Sequence, residues 1–221
     1  MKAPPWSFSS LTKYETCGWQ YYLTKVAKTV ADPPTEHTEW GNRVHKALEL
    51  RVTEKAPLPE GMQQWEPLVG MFDKFHGRVF AECRYSLNHR LAPTAWAADD
   101  CWHRGIIDLG LDAGDTSVLI DWKTGARKTV VDQLKLSAVA KMAASPEITN
   151  VRTAFVWLKE GKITRTDYLR EDAPFIWREF ISRSRRLENA YETDKWPKRP
   201  SGLCNGWCPA KGHCEHWRPK R

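Results

Sequence analysis

The sequence predicts an α/β fold, one β-sheet flanked by helices, on three observations. Apolar residues recur at helical spacing near both ends of the chain, the middle holds runs rich in β-branched, aromatic and aliphatic residues, and one helical stretch interrupts those runs. The order is therefore helices, antiparallel strands, helix, strands, helix, with no internal repeat and no low-complexity segment. A chain of 221 residues, 41% hydrophobic and 28% charged, has ordinary globular composition and is expected to form a single domain over 1–221. That length buries roughly 70% of the unfolded surface, so no disulfide scaffold is needed.

Residues 7–26 open with serines able to cap a helix and place Leu11, Tyr14 and Cys17 at three-residue intervals, with Gly18 breaking the stretch into two short helices. The prolines at 33 and 34 close this hairpin, a second helix runs from about Glu39 through Glu54, and a third amphipathic stretch spans Met62 to His76. These make up a helical part, 1–78. Val79–Leu87, Trp102–Leu111 and Ser117–Lys123 read as successive strands separated by turn chemistry such as DAGDTS, and the segment NHRLAPTAWAADDC at 88–101 reads as a loop or a hairpin. A helix at Val131–Ala144, a strand pair at 151–158 and 162–169 joined around Gly161, and a long helix at Ala173–Thr193 complete a sheet-bearing part, 79–195. From Trp196 the pattern dissolves into a Pro, Gly and Cys-rich tail, 196–221, with too little apolar surface to fold unless something ties it down.

No stretch approaches the roughly 18 apolar residues of a membrane span, and MKAPPWSFSS lacks the apolar core of a secretion signal, so a cytoplasmic protein without membrane contact is expected. In that setting six cysteines read as thiols or metal ligands rather than disulfides. Net charge is +7 and lies at one end: Arg183 to Arg221 hold ten Lys or Arg against four Asp or Glu, the remainder 24 against 23. Such a segment suits either a polyanion or plain solvated surface.

Chemistry concentrates in GIIDLGL and VLIDWKTG. Side chains alternate along a strand, so Asp121 and Lys123 share a face, and the turn at 112–116 can bring Asp108 beside Asp121. Paired carboxylates repel unless a cation lies between them, and hard oxygen donors suit Mg²⁺ or Mn²⁺. A metal beside a lysine ammonium fits phosphodiester hydrolysis. The bland reading of the same triplet is a surface salt bridge between Asp121 and Lys123.

In this order GNRVHKALE, VFAECRYSL, GIIDLGL, LIDWKTG and DQLKLSAVA resemble the successive motifs of the RecB-like branch of the PD-(D/E)XK nuclease superfamily, especially small phage-encoded exonucleases, and LCNGWCPAKGHC resembles the cysteine cap of its iron-sulfur members. The resemblance implies a restriction-endonuclease-like mixed sheet with the cysteine-rich cap clasped to the N-terminal helix. It implies metal-binding carboxylates at Asp108 and Asp121, a further ligand in the Trp122 carbonyl, a metal-proximal histidine at His45, an acidic residue near the metals at Glu82, and a catalytic Lys123. Gln133 matches a glutamine that contacts nucleic acid or orders the site, while Ser137 stands where the family pattern has tyrosine. Glu49 shares the His45 helical face, Gly41 leaves room one turn earlier, and Cys83 is expected in the core.

Cys204, Cys208 and Cys214, with Cys17 as remote fourth, offer four thiolates suited to a 4Fe-4S cluster or to Zn²⁺. The resemblance favours the cluster, whereas His213 and His216 beside Cys214 keep a zinc site in play; Cys101 has no evident partner. The function so implied is a Mg²⁺ or Mn²⁺-dependent exonuclease acting on single- or double-stranded DNA ends in phage recombination, repair or processing, in the host cytoplasm. Its rivals are a non-catalytic nucleic-acid-binding module and a structure-specific endonuclease.

Overall fold

A computed structural model of the protein describes residues 1–32, 34–129 and 131–219; Pro33 of the expected hairpin closure and the last two residues of the basic segment lie outside them. The chain divides into two compact units, one from the segment before Pro34 together with the chain from Phe180 onward, the other Pro34–Glu179. Among the described residues no helix is long and apolar enough to cross a membrane.

The first unit begins with α1 (Phe8–Thr16), whose end is closed by Ser7: the Ser10 N–H donates to Ser7 Oγ and the Ser7 N–H donates to Ser10 Oγ at 2.8 Å. At Cys17 the backbone becomes extended and a second short helix, α2 (Gly18–Tyr21), starts. Gly18 marks this break for a packing reason, since a Cβ there would meet Pro197 Cδ at 2.8 Å. The tail crosses at that point, held by the Trp19 N–H donating to the Pro197 carbonyl and by Arg199 donating to the Tyr14 carbonyl at 2.7 Å. Tyr14, Tyr21, Tyr191 and Trp196 form a buried aromatic cluster beneath it.

In the second unit, α3 (Glu36–Thr53) is capped by Thr35, carries Glu36 and Glu39 in its first turn where the helix dipole favours acid, and buries Val44, Ala47, Leu48, Arg51 and Val52 along one stripe. The amphipathic stretch expected over Met62–His76 forms 3-10 turns around a single α-turn, α4 (Glu66–Val69). Pro67 fits a first turn, but Gly70 is a poor continuation and the backbone is already extended at Phe75.

Five strands follow: β1 (Arg78–Asn88), β2 (Cys101–Ala113), β3 (Thr116–Lys123), β4 (Asn150–Trp157) and β5 (Lys162–Leu169). They lie in the order β1-β2-β3-β4-β5, with only β3 and β4 parallel, across the crossover that carries α5 (Asp132–Ala144). This is the expected mixed sheet flanked by helices. On one face Leu109, Ile120, Trp122 and Val156 pack on Val44 and Leu48 of α3. On the other Ile107, Leu119 and Val151 pack on Ala138 and Met142 of α5. The last helix, α6 (Ala173–Thr193), contains the boundary between the units.

Candidate active site

Alternation in β3 sends Val118, Ile120 and Trp122 to the α3 face, and so turns Asp121 and Lys123 toward α5. There Lys123 Nζ lies 2.6 Å from Asp121 Oδ1 and donates to Gln133 Oε1 at 2.9 Å, while Gln133 Nε2 donates to Asp121 Oδ2. Three residues from β3 and α5 thus close a ring of bonds, and the Phe155 ring lies 4.8 Å from the ammonium. Ser137, one turn beyond Gln133, is half-buried.

Asp108 sits where β2 and β3 part. Their ladder ends at Leu109↔Ile120, and in place of a backbone carbonyl the Asp108 carboxylate accepts the Trp122 N–H at 2.8 Å. Across β1 the same level is irregular: Glu82 has φ +46°, and Glu82 and Asp108 are missing from a register that is continuous on either side of them as far as a shift at Leu87/Asn88. Face alternation inverts here. Phe80 and Tyr85 both pack toward α5 although one number is even and the other odd, and Ile107 and Leu109 face opposite sides although both are odd. The irregularity directs Glu82 and Asp108 toward α3, where His45 Nδ1 lies 3.4 Å from Asp108 and 3.9 Å from Glu82. Ligand atoms of His45, Glu82 and Asp108 all fall within 4.8 Å of one another.

The other nitrogen of His45 sets the chemistry of the first. A carbonyl can only accept, so His45 Nε2–H donates to the Trp122 carbonyl at 3.0 Å, which leaves the Nδ1 lone pair of the neutral ring facing the carboxylates. Trp122 therefore uses both backbone groups on the site and its side chain in the core. Burial, then the Asp108 charge, push the carboxyls of Glu82 and Asp121 above the usual carboxylate range. For His45, burial acts to lower the pKa but is outweighed by Asp108 and Asp121, so the value is raised. The Asp108 charge contributes to each of these shifts, and a divalent cation among these donors would offset it. The residues present fit such an ion.

The structure thus brings the expected residues into two adjoining groups, His45–Glu82–Asp108 and Asp121–Lys123–Gln133, on either side of the Trp122 backbone. Glu49 joins neither; it pairs with Lys46 at 2.8 Å on the wall of an open cleft of about 460 Å³ that also exposes His45, Glu82, Gly41 and Thr124. A Cβ at Gly41 would stand 3.4 Å from Thr124 Oγ1, so the glycine is where α3 comes close to the chain leaving β3. Cys83 lies on the face opposite Glu82, as alternation predicts, but is half-buried rather than in the core. Phe155 has no signal in the sequence, since it meets the site only through parallel pairing of β3 with β4.

In the first unit Cys17, Cys204, Cys208 and Cys214 are unbridged, half-buried, and line one cavity together with His216. Burial, then nearby Cys17, Cys204 and Cys214, raise the Cys208 thiol against a lowering bond to the Ala210 backbone. That donor set fits a thiolate-bound metal group. Cys101, by contrast, is buried and its thiol raised by burial. Much of the basic C-terminal segment is used internally: Arg183 pairs with Glu15, Lys198 with Glu215, and Arg199 with backbone carbonyls.

Comparison with known proteins bears on these arrangements. The sequence model of the PD-(D/E)XK nuclease superfamily matches residues 5–215. A search of curated proteins finds no match. Among solved structures, a candidate exonuclease from Eubacterium rectale is 12% identical with a TM-score of 0.57, over 90% of this chain and 86% of that one. The protein SSO0001 is 11% identical with a TM-score of 0.46, over 97% and 87%. At these identities the first shows a shared fold, and the second carries no argument.

Proposed function

This chain belongs to the PD-(D/E)XK nuclease superfamily, and we propose from that premise that it is a Mg²⁺ or Mn²⁺-dependent exonuclease hydrolysing phosphodiester bonds at DNA ends. The observation that carries the reading is the convergence of His45, Glu82 and Asp108 within 4.8 Å beside the Asp121–Lys123 pair. A divalent ion held there would neutralise a phosphate oxygen and favour ionisation of an attacking water. His45 is kept in the metal-ligand tautomer by the Trp122 carbonyl, and Asp108 is aimed by the Trp122 N–H. Lys123, held by Asp121 and Gln133, is the cation placed to orient the nucleophile and offset charge developing on the phosphate. Asp121→Ala and Lys123→Ala should each abolish metal-dependent digestion of labelled linear DNA while largely sparing DNA binding; cleavage retained in both variants refutes the assignment.

The motif resemblance supports membership of the RecB-like branch and a role in phage DNA recombination, repair or processing. A closed circular substrate separates end-dependent digestion from internal cutting. A non-catalytic binding module is the second reading, favoured by Ser137 in the tyrosine position; binding without product at any Mg²⁺ or Mn²⁺ concentration selects it. For the cysteine cavity, Cys17, Cys204, Cys208 and Cys214 would hold a 4Fe-4S cluster that staples the tail to α1 and α2, with zinc on three cysteines and His216 as the alternative that the cavity lining permits. Brown protein that loses its broad visible absorbance with Cys208→Ser is expected; colourless protein with stoichiometric zinc selects the alternative.

A further inference from the structure

Beyond the two groups around Trp122, the same side of β1 and β2 continues as a strip exposed at Arg84 and Ile106 and covered at Ser86. Tyr85 and Ile107 pack toward α5, so their neighbours Arg84, Ser86, Arg104 and Ile106 face the side of Glu82 and Asp108. The pairs Arg84↔Ile106 and Ser86↔Arg104 form the next two rows on that side. At a rise of roughly 3.4 Å per residue these rows lie about 7 and about 14 Å from the Glu82–Asp108 row, comparable to one and two steps of an extended nucleic-acid backbone. Ile106 is 43% exposed, unusual for a central strand residue, and Arg84 is exposed beside it.

The segment between β1 and β2 folds back over the far end of this strip. Ser86 Oγ donates to the Thr94 carbonyl at 2.6 Å, Leu87 bridges Pro93, and Asp100 accepts from Thr94 Oγ1 at 2.6 Å and from Asn88 Nδ2 at 3.2 Å. This bracing sets Trp96 so that the Arg84 guanidinium lies 5.4 Å and the Arg104 guanidinium 5.1 Å from its ring centroid. Two like charges converge on one ring, and among the described residues neither is in an ion pair with a carboxylate. Attraction to the ring offsets only part of their repulsion. A polyanion would supply the missing counter-charge, and planar guanidiniums braced on the half-buried Trp96 ring are a geometry that grips phosphates beside an aromatic edge.

We infer that Arg84, Trp96 and Arg104, with Ile106 as the apolar step between, form a binding track for an unpaired nucleic-acid strand that leads to the Glu82–Asp108 group. The inference rests on the nuclease reading for its direction and deepens it by naming the strand's path. Sequence-independent contact follows, because guanidinium–phosphate and ring–base contacts do not read base edges.

The test measures binding of labelled single-stranded and duplex oligonucleotides in EDTA, by anisotropy across a salt series, alongside cleavage with Mn²⁺. Arg84→Ala/Arg104→Ala should weaken single-strand binding roughly 10-fold and make the slope of log affinity against log salt shallower by about 1.4, at about 0.7 per lost phosphate contact. Trp96→Ala should weaken it roughly 10-fold and Trp96→Phe much less. The deficit should shrink as the oligonucleotide is shortened below the reach of the track. Since Arg84 is exposed and Arg104 half-buried with neither in the core, the double variant keeps the test valid if Trp96→Ala fails to fold. Unchanged single-strand affinity and salt slope in the double variant, or a loss confined to duplex, overturns the track while leaving cleavage by the wild type to stand. Track-dependent binding without cleavage by the wild type sinks the nuclease reading and leaves the track.

Discussion

Replacing Asp108 with asparagine separates the metal-binding role of this carboxylate from its structural one. Asparagine has nearly the same shape and still offers an oxygen to the Trp122 N–H, so the fork between β2 and β3 keeps its bond. The negative charge is what disappears. Glu82 and Asp108 oxygens within 4.8 Å repel by about 3 kcal/mol at an effective dielectric of 20, and the residual exposure of both groups reduces this to about 1–2 kcal/mol. In EDTA at a pH where His45 is neutral, Asp108→Asn is therefore expected to raise the unfolding midpoint by about 2–8 °C, at 2–4 °C per kcal/mol for a chain of this size. Addition of Mn²⁺ reverses the ranking. An ion at 100 times its dissociation constant stabilises the wild type by about 2.7 kcal/mol, and the variant, lacking the central ligand, gains little. Thermal melts by circular dichroism with EDTA and with graded Mn²⁺ read both effects. Equal Mn²⁺ stabilisation of the two proteins, or a variant less stable than wild type in EDTA, refutes the argument that these groups are assembled around a cation.

Three further outcomes follow from other parts of the molecule. Gly18→Ala puts a methyl 2.8 Å from Pro197 Cδ and 3.0 Å from Pro197 backbone atoms, so the tail must shift; a loss of about 1–3 kcal/mol and a fall in iron or zinc content per chain are expected, and wild-type metal content with an unchanged melt contradicts it. Gln133→Leu removes both bonds that hold the Asp121 carboxylate and the Lys123 ammonium, and should lower kcat at least 10-fold with KM for DNA little changed; a KM effect alone points to substrate contact instead. Asp73 is held at about 2, below its ordinary 3.8, by bonds from Arg51 and then Lys55. A folded value below the unfolded one contributes stability that is present above pH 3.8 and is lost as the pH falls through 2. Asp73→Asn should lower stability at neutral pH and flatten its decline in that acid window, and an unaltered acid limb in urea titrations counts against the pair.

The strands and helices were legible because each is written in a local period. Val79–Leu87, Ser117–Lys123 and Ala173–Thr193 lie within a residue or so of β1, β3 and α6, and the common face of Asp121 and Lys123 follows from alternation alone. Where local rules compete, the reading failed: the apolar stripe over Met62–His76 overrode Pro67 and Gly70, which the folded chain does not. Cys83 takes the face that alternation predicts yet is only half-buried, since alternation specifies a face and not a depth.

By itself the sequence determined the period of each element, the pairing of acid and amine on β3, and the clustering of cysteines at the chain's end. Only the tertiary structure decided that Asp108 and Glu82 meet His45, that Trp122 serves as the backbone hub between two groups, and that Trp96 closes over two arginines. The physical reason is range. Periodicity depends on neighbours within one element, whereas the interrupted ladder at Asp108 and the setting of His45 depend on Trp122, 14 and 77 positions away, and the loop carrying Trp96 folds back on strand residues 12 and 8 positions away.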